Sequence, residues 1–184
     1  MREQKLNKKK IFNDPVYGFI TLKDEFIIEI IDHPWFQRLR RISQLGLSHL
    51  VYPGAVHNRF HHAIGAMNLM QETLDSLKQK GVEISADEEL GGTLAILLHD
   101  VGHGPFSHAL EHSIVSDISH EELTLLIMQH LNEEFGGKLS TAIEIFSDTY
   151  KKKFLHQLVS SQLDMDRLDY LSRDSFYSGV SEGI

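Results

Sequence analysis

Apolar and polar positions alternate in two short runs near the start of the chain and recur at helical spacing through most of the rest. Residues 11–22, IFNDPVYGFITL, read as a β-hairpin, with Asn13, Asp14, Pro15 and Gly18 supplying turn chemistry between apolar runs. Pro34 opens a segment with apolar residues at 35, 36, 39, 42 and 45, the spacing of a helix. Asn58 is placed to cap a long helix through about Lys80, closed by Gly81. Ser85 with Glu88 forms a capping box ahead of a helix running to about Asp100, and Ser119 with Glu122 forms another ahead of LTLLIMQHL. Further helices are predicted over 138–147, 151–161 and 164–177. There is no internal repeat and no low-complexity linker. The expectation is one mostly α domain over 11–184, a helical bundle with a small N-terminal β-hairpin, preceded by a basic flexible tail over 1–10. The closing FYSGVSEGI reads as the start of a further segment, and so as a C-terminal truncation.

Composition narrows the partners. The 184 residues suffice for one domain with a real core, and 41% hydrophobic with 24% charged residues is ordinary for a soluble protein. No run of 18 apolar residues predicts a membrane span, and MREQKLNKKK lacks the apolar stretch of a secretory signal, so a cytoplasmic protein is expected. Cysteine is absent, which removes disulfides, thiolate zinc sites and cysteine nucleophiles together. A net charge of −8 argues against a long nucleic acid, whose partners present basic surfaces. A small anion needs only a local cluster of Arg and Lys. The 12 histidines, many of them near Asp or Glu, suggest a borderline-to-hard metal site.

Three segments carry that chemistry. In LAILLHDVGHGPFSH (94–108) an apolar helix ends in His99 and Asp100; a pair at the end of a buried helix needs partners, and a divalent cation is one. Val101, Gly102 and Gly104 are expected to let the chain turn tightly there. RFHHAIG (59–65) begins a helix with adjacent histidines. LDMDRLDYLSRD (163–174) puts Asp166, Asp169 and Tyr170 near one helix face, where carboxylates repel unless a cation intervenes. Arg167 and Arg173 can supply that charge alone, and a single His-Asp doublet more often makes a surface or capping contact. Histidine can hold and give a proton near neutral pH, and His103, His108 and His120 are candidates for such acid–base work. His33, His49, His112, His130 and His156 read as structural.

The order H, HD, D spread over helices resembles the HD superfamily. The fuller strings FNDPVYGFITL, FQRLRRISQLG, YPGAVHNRFHHAIG, HDVGHGPFSH and LDMDRLDY are similar to the deoxynucleoside triphosphate triphosphohydrolases, the dGTPase-like and sterile-alpha-motif HD branch, from about residue 11 to 180. The resemblance implies metal ligands His62, His99, Asp100 and Asp166, with Mn, Fe, Mg, Zn and Ni all compatible. His62 holds the second-His position of RFHHAIG; His61 stands where the family has Glu. Asp164 is expected to be structural or to support the site. His108 matches the family's catalytic histidine, Glu111 its acidic partner and His120 a second histidine of that network, with His103 beside them. Arg59 and Arg167 match phosphate contacts, against the alternative of surface ion pairs. Tyr170 and Asp174 match groups around the sugar and phosphates, and Gln44 and Leu45 those at the deoxyribose, where Leu disfavours a 2′-hydroxyl. Some relatives are tetramers with a second nucleotide site; Asp32 and Arg40, with Asn13 in the hairpin, match its lining, which implies a nucleotide activator and a homo-oligomer. A helix cap and a surface charge are the plainer readings of Asp32 and Arg40. The implied reaction converts a dNTP and water to a deoxynucleoside and inorganic triphosphate. Two other readings stand beside it: an HD phosphohydrolase acting on nucleoside monophosphates or signalling nucleotides, and a nucleotide-binding module without turnover.

Overall fold

The computed structural model describes residues 9–22, 24–106 and 118–180. Strands β1 (Lys10–Asp14) and β2 (Gly18–Leu22) pair antiparallel, with Asn13 opposite Phe19. Period-two alternation turns Ile20 and Leu22 into the core and Phe19 outward. Helix α1 (Glu25–Asp32) follows, started by Asp24, whose carboxylate accepts the N–H groups of Phe26 and Ile27.

The segment after Pro34 departs from its helical spacing. Helix α2 (Pro34–Gln37) passes into a 3₁₀ turn over Arg38–Arg41 and stops. Beyond it Ser43 pairs with Asn58 as an isolated bridge, Arg59 N–H donates to the Ile42 carbonyl and Gln44 N–H to the His57 carbonyl. Backbone pairing with a segment thirteen to seventeen residues on thus replaces the i→i−4 bonds that a helix through 45 would need. Gln44 and Leu45 therefore lie in a turn, not on a helix face.

The remaining helices match their signals. Helix α3 (Arg59–Gln79) starts at Asn58 and ends ahead of Gly81, at φ +87°. Helix α4 (Ala86–Leu98) carries the Ser85/Glu88 capping box, and α5 (His120–Glu134) the Ser119/Glu122 box. Three helices complete the described fold: α6 (Ser140–Phe146), α7 (Lys153–Val159) and α8 (Met165–Ser178). Helix α4 is central, packed on α3, α6 and α7, while α3 also packs along α8. From Gly91 to Asp100 every residue of the α4 segment is buried. That all-round burial fixes where its C-terminal end points. Among the described residues no helix is long and apolar enough to cross a membrane.

Candidate metal centre

Three helix ends meet at one point: the first turns of α3 and α8 and the last turn of α4. His62 sits one turn into α3, His99 caps α4 with Asp100 next, and Asp166 lies in the first turn of α8. Asp164 starts α8 by accepting the Arg167 N–H at 2.7 Å, which sets where Asp166 faces. His62 Nε2 lies 3.0 Å from Asp166 Oδ1 and 3.3 Å from His99 Nε2; His99 Nε2 lies 3.4 Å from Asp166 Oδ1. Asp100 closes the fourth side, with Oδ2 3.7 Å from His62 Nε2 and Oδ1 3.5 Å from His99 Nε2. The four expected ligands are together.

The hydrogen bonds behind these atoms decide what the group can hold. His62 Nδ1 faces Asp169 Oδ2 at 2.7 Å, and His99 Nδ1 faces the Ile96 carbonyl at 2.6 Å. Both partners only accept, so each Nδ1 carries a proton, and in the neutral ring Nε2 turns a bare lone pair inward. Two lone pairs and two carboxylates then face one another. Such a set is stable only around a positive charge. When no metal is bound a proton supplies that charge: burial opposes it on His62, yet hydrogen bonds to Asp166 and Asp169 push the ring up to about 10. Burial likewise opposes charge on Asp166 and Asp100. The charge of His99 and the His62 hydrogen bond hold Asp166 below the ordinary carboxylate range. His99, the His103 hydrogen bond and Arg59 do the same for Asp100. The donor set suits a divalent ion: His62, His99 and Asp166 each bring one ligand atom, all within 4.8 Å of one another.

Around this core, Arg59 pairs with Asp100 Oδ2, and both residues are buried. His103 Nε2 is 3.2 Å from Asp100 Oδ1, and its ring stacks on His120 with centroids 4.0 Å apart. Burial, ahead of the opposing pull of Asp100, takes His103 down to about 4. It is a neutral ring near pH 7 and donates to Asp100. Gly102 differs from its expected role. Its backbone is not left-handed; a Cβ there would lie 2.2 Å from the His120 carbonyl and 2.4 Å from the Thr124 nitrogen. Glycine is needed for space, so that the loop after α4 can press on α5.

His108 and Glu111 lie outside the described residues. Arg167 is exposed beside Asp166, and Tyr170 is half-buried on the same helix. Asp174 accepts from His57 Nε2 at 2.6 Å, and the His57 ring stacks on Tyr177. Gln44 Oε1 is buried with no hydrogen-bond partner among the described residues. Asn13 is exposed on β1, Asp32 pairs with Lys10, and Arg40 lies over the Phe60 ring, 3.5 Å from its centroid. His61 accepts the Asn58 N–H at 3.3 Å, completing the capping box that Glu usually completes.

Four groups beside the centre were not singled out from the sequence as site residues. Asp169 orients His62, Arg173 fixes Asp169, and Asp14 fixes Arg173. The i, i+4 spacing of Asp169 and Arg173 was the available signal. Arg38 donates to the Val101 and His103 carbonyls and pins the loop after the doublet, with no sequence signal.

A family profile, the HD domain, matches residues 59–174. The chain is 40% identical over 186 residues to the uncharacterized protein YwfO of Bacillus subtilis, covering 97% of this chain and 42% of that protein. It is 35% identical over 191 residues to the deoxynucleoside triphosphate triphosphohydrolase SAMHD1 homolog of Dictyostelium discoideum, covering 94% of this chain and 37% of that one. The crystal structure of a phosphohydrolase from Bacteroides thetaiotaomicron superposes with a TM-score of 0.93 at 57% identity, over 96% of this chain and 44% of that one. This chain thus spans less than half the length of each of these relatives. All four converging residues fall inside the matched region, and the chain belongs to the HD-domain family.

Proposed function

We propose that this chain carries the active site of a cytoplasmic metal-dependent phosphohydrolase that converts dNTPs to deoxynucleosides and inorganic triphosphate. The observation that carries the reading is the convergence of two imidazole nitrogens and two carboxylates on one buried point. The named activity of the Dictyostelium relative supports the choice of substrate. A divalent ion held by His62, His99, Asp100 and Asp166 supplies Lewis-acid polarisation and an activated water when bound.

The chain's own groups do the rest. His62 and His99 are locked in one tautomer by Asp169 and the Ile96 carbonyl, so their ligand atoms need no rearrangement. Arg59 and Arg167 flank the ligands and neutralise phosphoryl oxygens. Water attacks the α-phosphorus, the bond to the 5′-oxygen breaks, and His108 gives that oxygen a proton, oriented by Glu111. His103 and His120, stacked beside Asp100, complete the polar wall. Tyr170 and Asp174, one and two turns after Asp166, face sugar and phosphate, and Gln44 and Leu45 the deoxyribose. Asn13, Asp32 and Arg40 line a second nucleotide site for an activator in a homo-oligomer.

The test is metal analysis of the purified protein followed by a dNTP panel with product identification. Inorganic triphosphate as the product is expected. Orthophosphate or a linear nucleotide would move the chain to another HD reaction. Nucleotide binding without hydrolysis in Mn²⁺, Fe²⁺, Mg²⁺, Zn²⁺ or Ni²⁺ would leave only a binding module.

A further inference from the structure

A line of buried charges runs from His62 to the N-terminal hairpin. His62 Nδ1 donates to Asp169 Oδ2 at 2.7 Å. Asp169 accepts two bonds from Arg173, Nε to Oδ2 and Nη2 to Oδ1, both 2.9 Å. The remaining arm of Arg173, Nη1, donates to Asp14 Oδ2 at 2.8 Å. His62, Asp169 and Arg173 are each 0% exposed and Asp14 5%. Asp14 also holds the hairpin turn: its Oδ1 accepts the N–H groups of Val16 at 2.9 Å and Tyr17 at 3.1 Å. The Tyr17 ring lies over the Arg173 guanidinium, 5.5 Å away. Gly65 leaves the room for this line, since a Cβ there would fall 2.0 Å from Asp169 Oδ1 and 2.1 Å from Arg173 Nη2.

The charge count gives the line a direction. Two carboxylates share one guanidinium, which leaves one negative charge facing His62. A carboxylate behind a ligating imidazole makes its other nitrogen a better donor to a metal. Asp14 draws part of the guanidinium's charge away from Asp169 and so leaves Asp169 free to polarise His62. Without the Asp14 charge, Arg173 would neutralise Asp169 alone.

We infer that Asp14 and Arg173 are positioning residues for His62, which makes the hairpin turn a working part of the metal centre. This rests on the reading of His62 as a metal ligand. Mn²⁺ is titrated calorimetrically into the metal-stripped full chain and its variants, with thermal melts alongside. Asp14→Asn keeps an oxygen for the Val16 and Tyr17 N–H groups but loses the charge; affinity should fall about tenfold, within the range for groups behind a metal ligand. In an Asp169→Asn background the same change should have no further effect, because the line is already cut. Ile20→Val weakens the same hairpin without touching Arg173 and should leave affinity unchanged. Should Asp14→Asn not fold, Arg173→Lys reads the same coupling, since Lys cannot reach both carboxylates with a fork. Wild-type affinity in Asp14→Asn, with binding abolished in His62→Ala, would overturn this inference and leave the metal reading standing. An equal loss in Ile20→Val would overturn it too, as plain destabilisation. Undiminished Mn²⁺ binding in His62→Ala, or none in the wild type, would sink both.

Discussion

The two ends of α4 each bury a carboxylate, and they treat it in opposite ways. At the N-terminal end Glu88, 3% exposed, takes donors on both oxygens: the Ser85 N–H at 2.9 Å, the Tyr150 hydroxyl at 2.9 Å and the Lys152 ammonium at 2.7 Å. At the C-terminal end His99 and Asp100 face Asp166 and the His62 Nε2, acceptor against acceptor while the rings are neutral. The helix dipole favours both arrangements, an anion at the start and a cation at the end. The first cluster is closed by the protein itself. The second closes only around an added positive charge. Burial of polar groups alone does not mark a site; an imbalance of donors and acceptors does.

Removing one acceptor from the unbalanced end gives the largest expected effect. Asp166→Ala should strip the metal and lower turnover about a thousand-fold or more, since the ion is worth several kcal/mol to the transition state. Because Asp166 is part-exposed and Asp164 makes the cap, the melt should move little. Metal content by elemental analysis and single-turnover rates check this; full metal retention would break the contrast between the ends.

Crowding the same end should come next. A helix-interior Gly→Ala change normally stabilises, but Gly65→Ala drives a methyl into Asp169 and Arg173, and about 3 kcal/mol of stability should be lost. Urea denaturation measures it. Stability equal to wild type would show that the line behind His62 tolerates displacement.

The balanced end should respond to acid and not to metal. Burial would raise the Glu88 carboxyl, yet Lys152, the Ser85 N–H and Tyr150 take it down from 4.5 to about 2. A depressed carboxyl contributes stability that is complete above pH 4.5 and lost as pH falls toward about 2. Glu88→Gln should cost about 1–3 kcal/mol near neutral pH, flatten that acid-side loss and leave metal content unchanged. Melts at stepped pH test it; a Glu88→Gln protein that loses its metal would join the two ends into one system. The smallest effect lies between them. A Cβ on Gly92 meets only Leu74 and Leu155, at 3.7 and 3.8 Å, so Gly92→Ala should gain about 0.4–1 kcal/mol.

What the sequence determined by itself was local. Caps act within four residues, so the Ser85/Glu88 and Ser119/Glu122 boxes, Asn58 and Gly81 were enough to set helix ends, among them the start of α3 that carries His62. The doublet at the end of an apolar helix was legible for the same reason. What only the tertiary structure decided depends on partners far apart in the chain. Arg173 and Asp14 meet across 159 positions, Asp174 and His57 across 117, and Arg38 reaches the loop after the doublet across 63 to 65. No periodicity encodes such pairs. The apolar spacing after Pro34 predicted a helix that pairing with residues 57–59 cut short, because backbone groups take whichever partners the packed fold brings to them. Gly102 looked like torsional freedom and proved to be room for α5. A side chain's type and neighbours can be read along the chain, but which groups close its charge is set where helices meet.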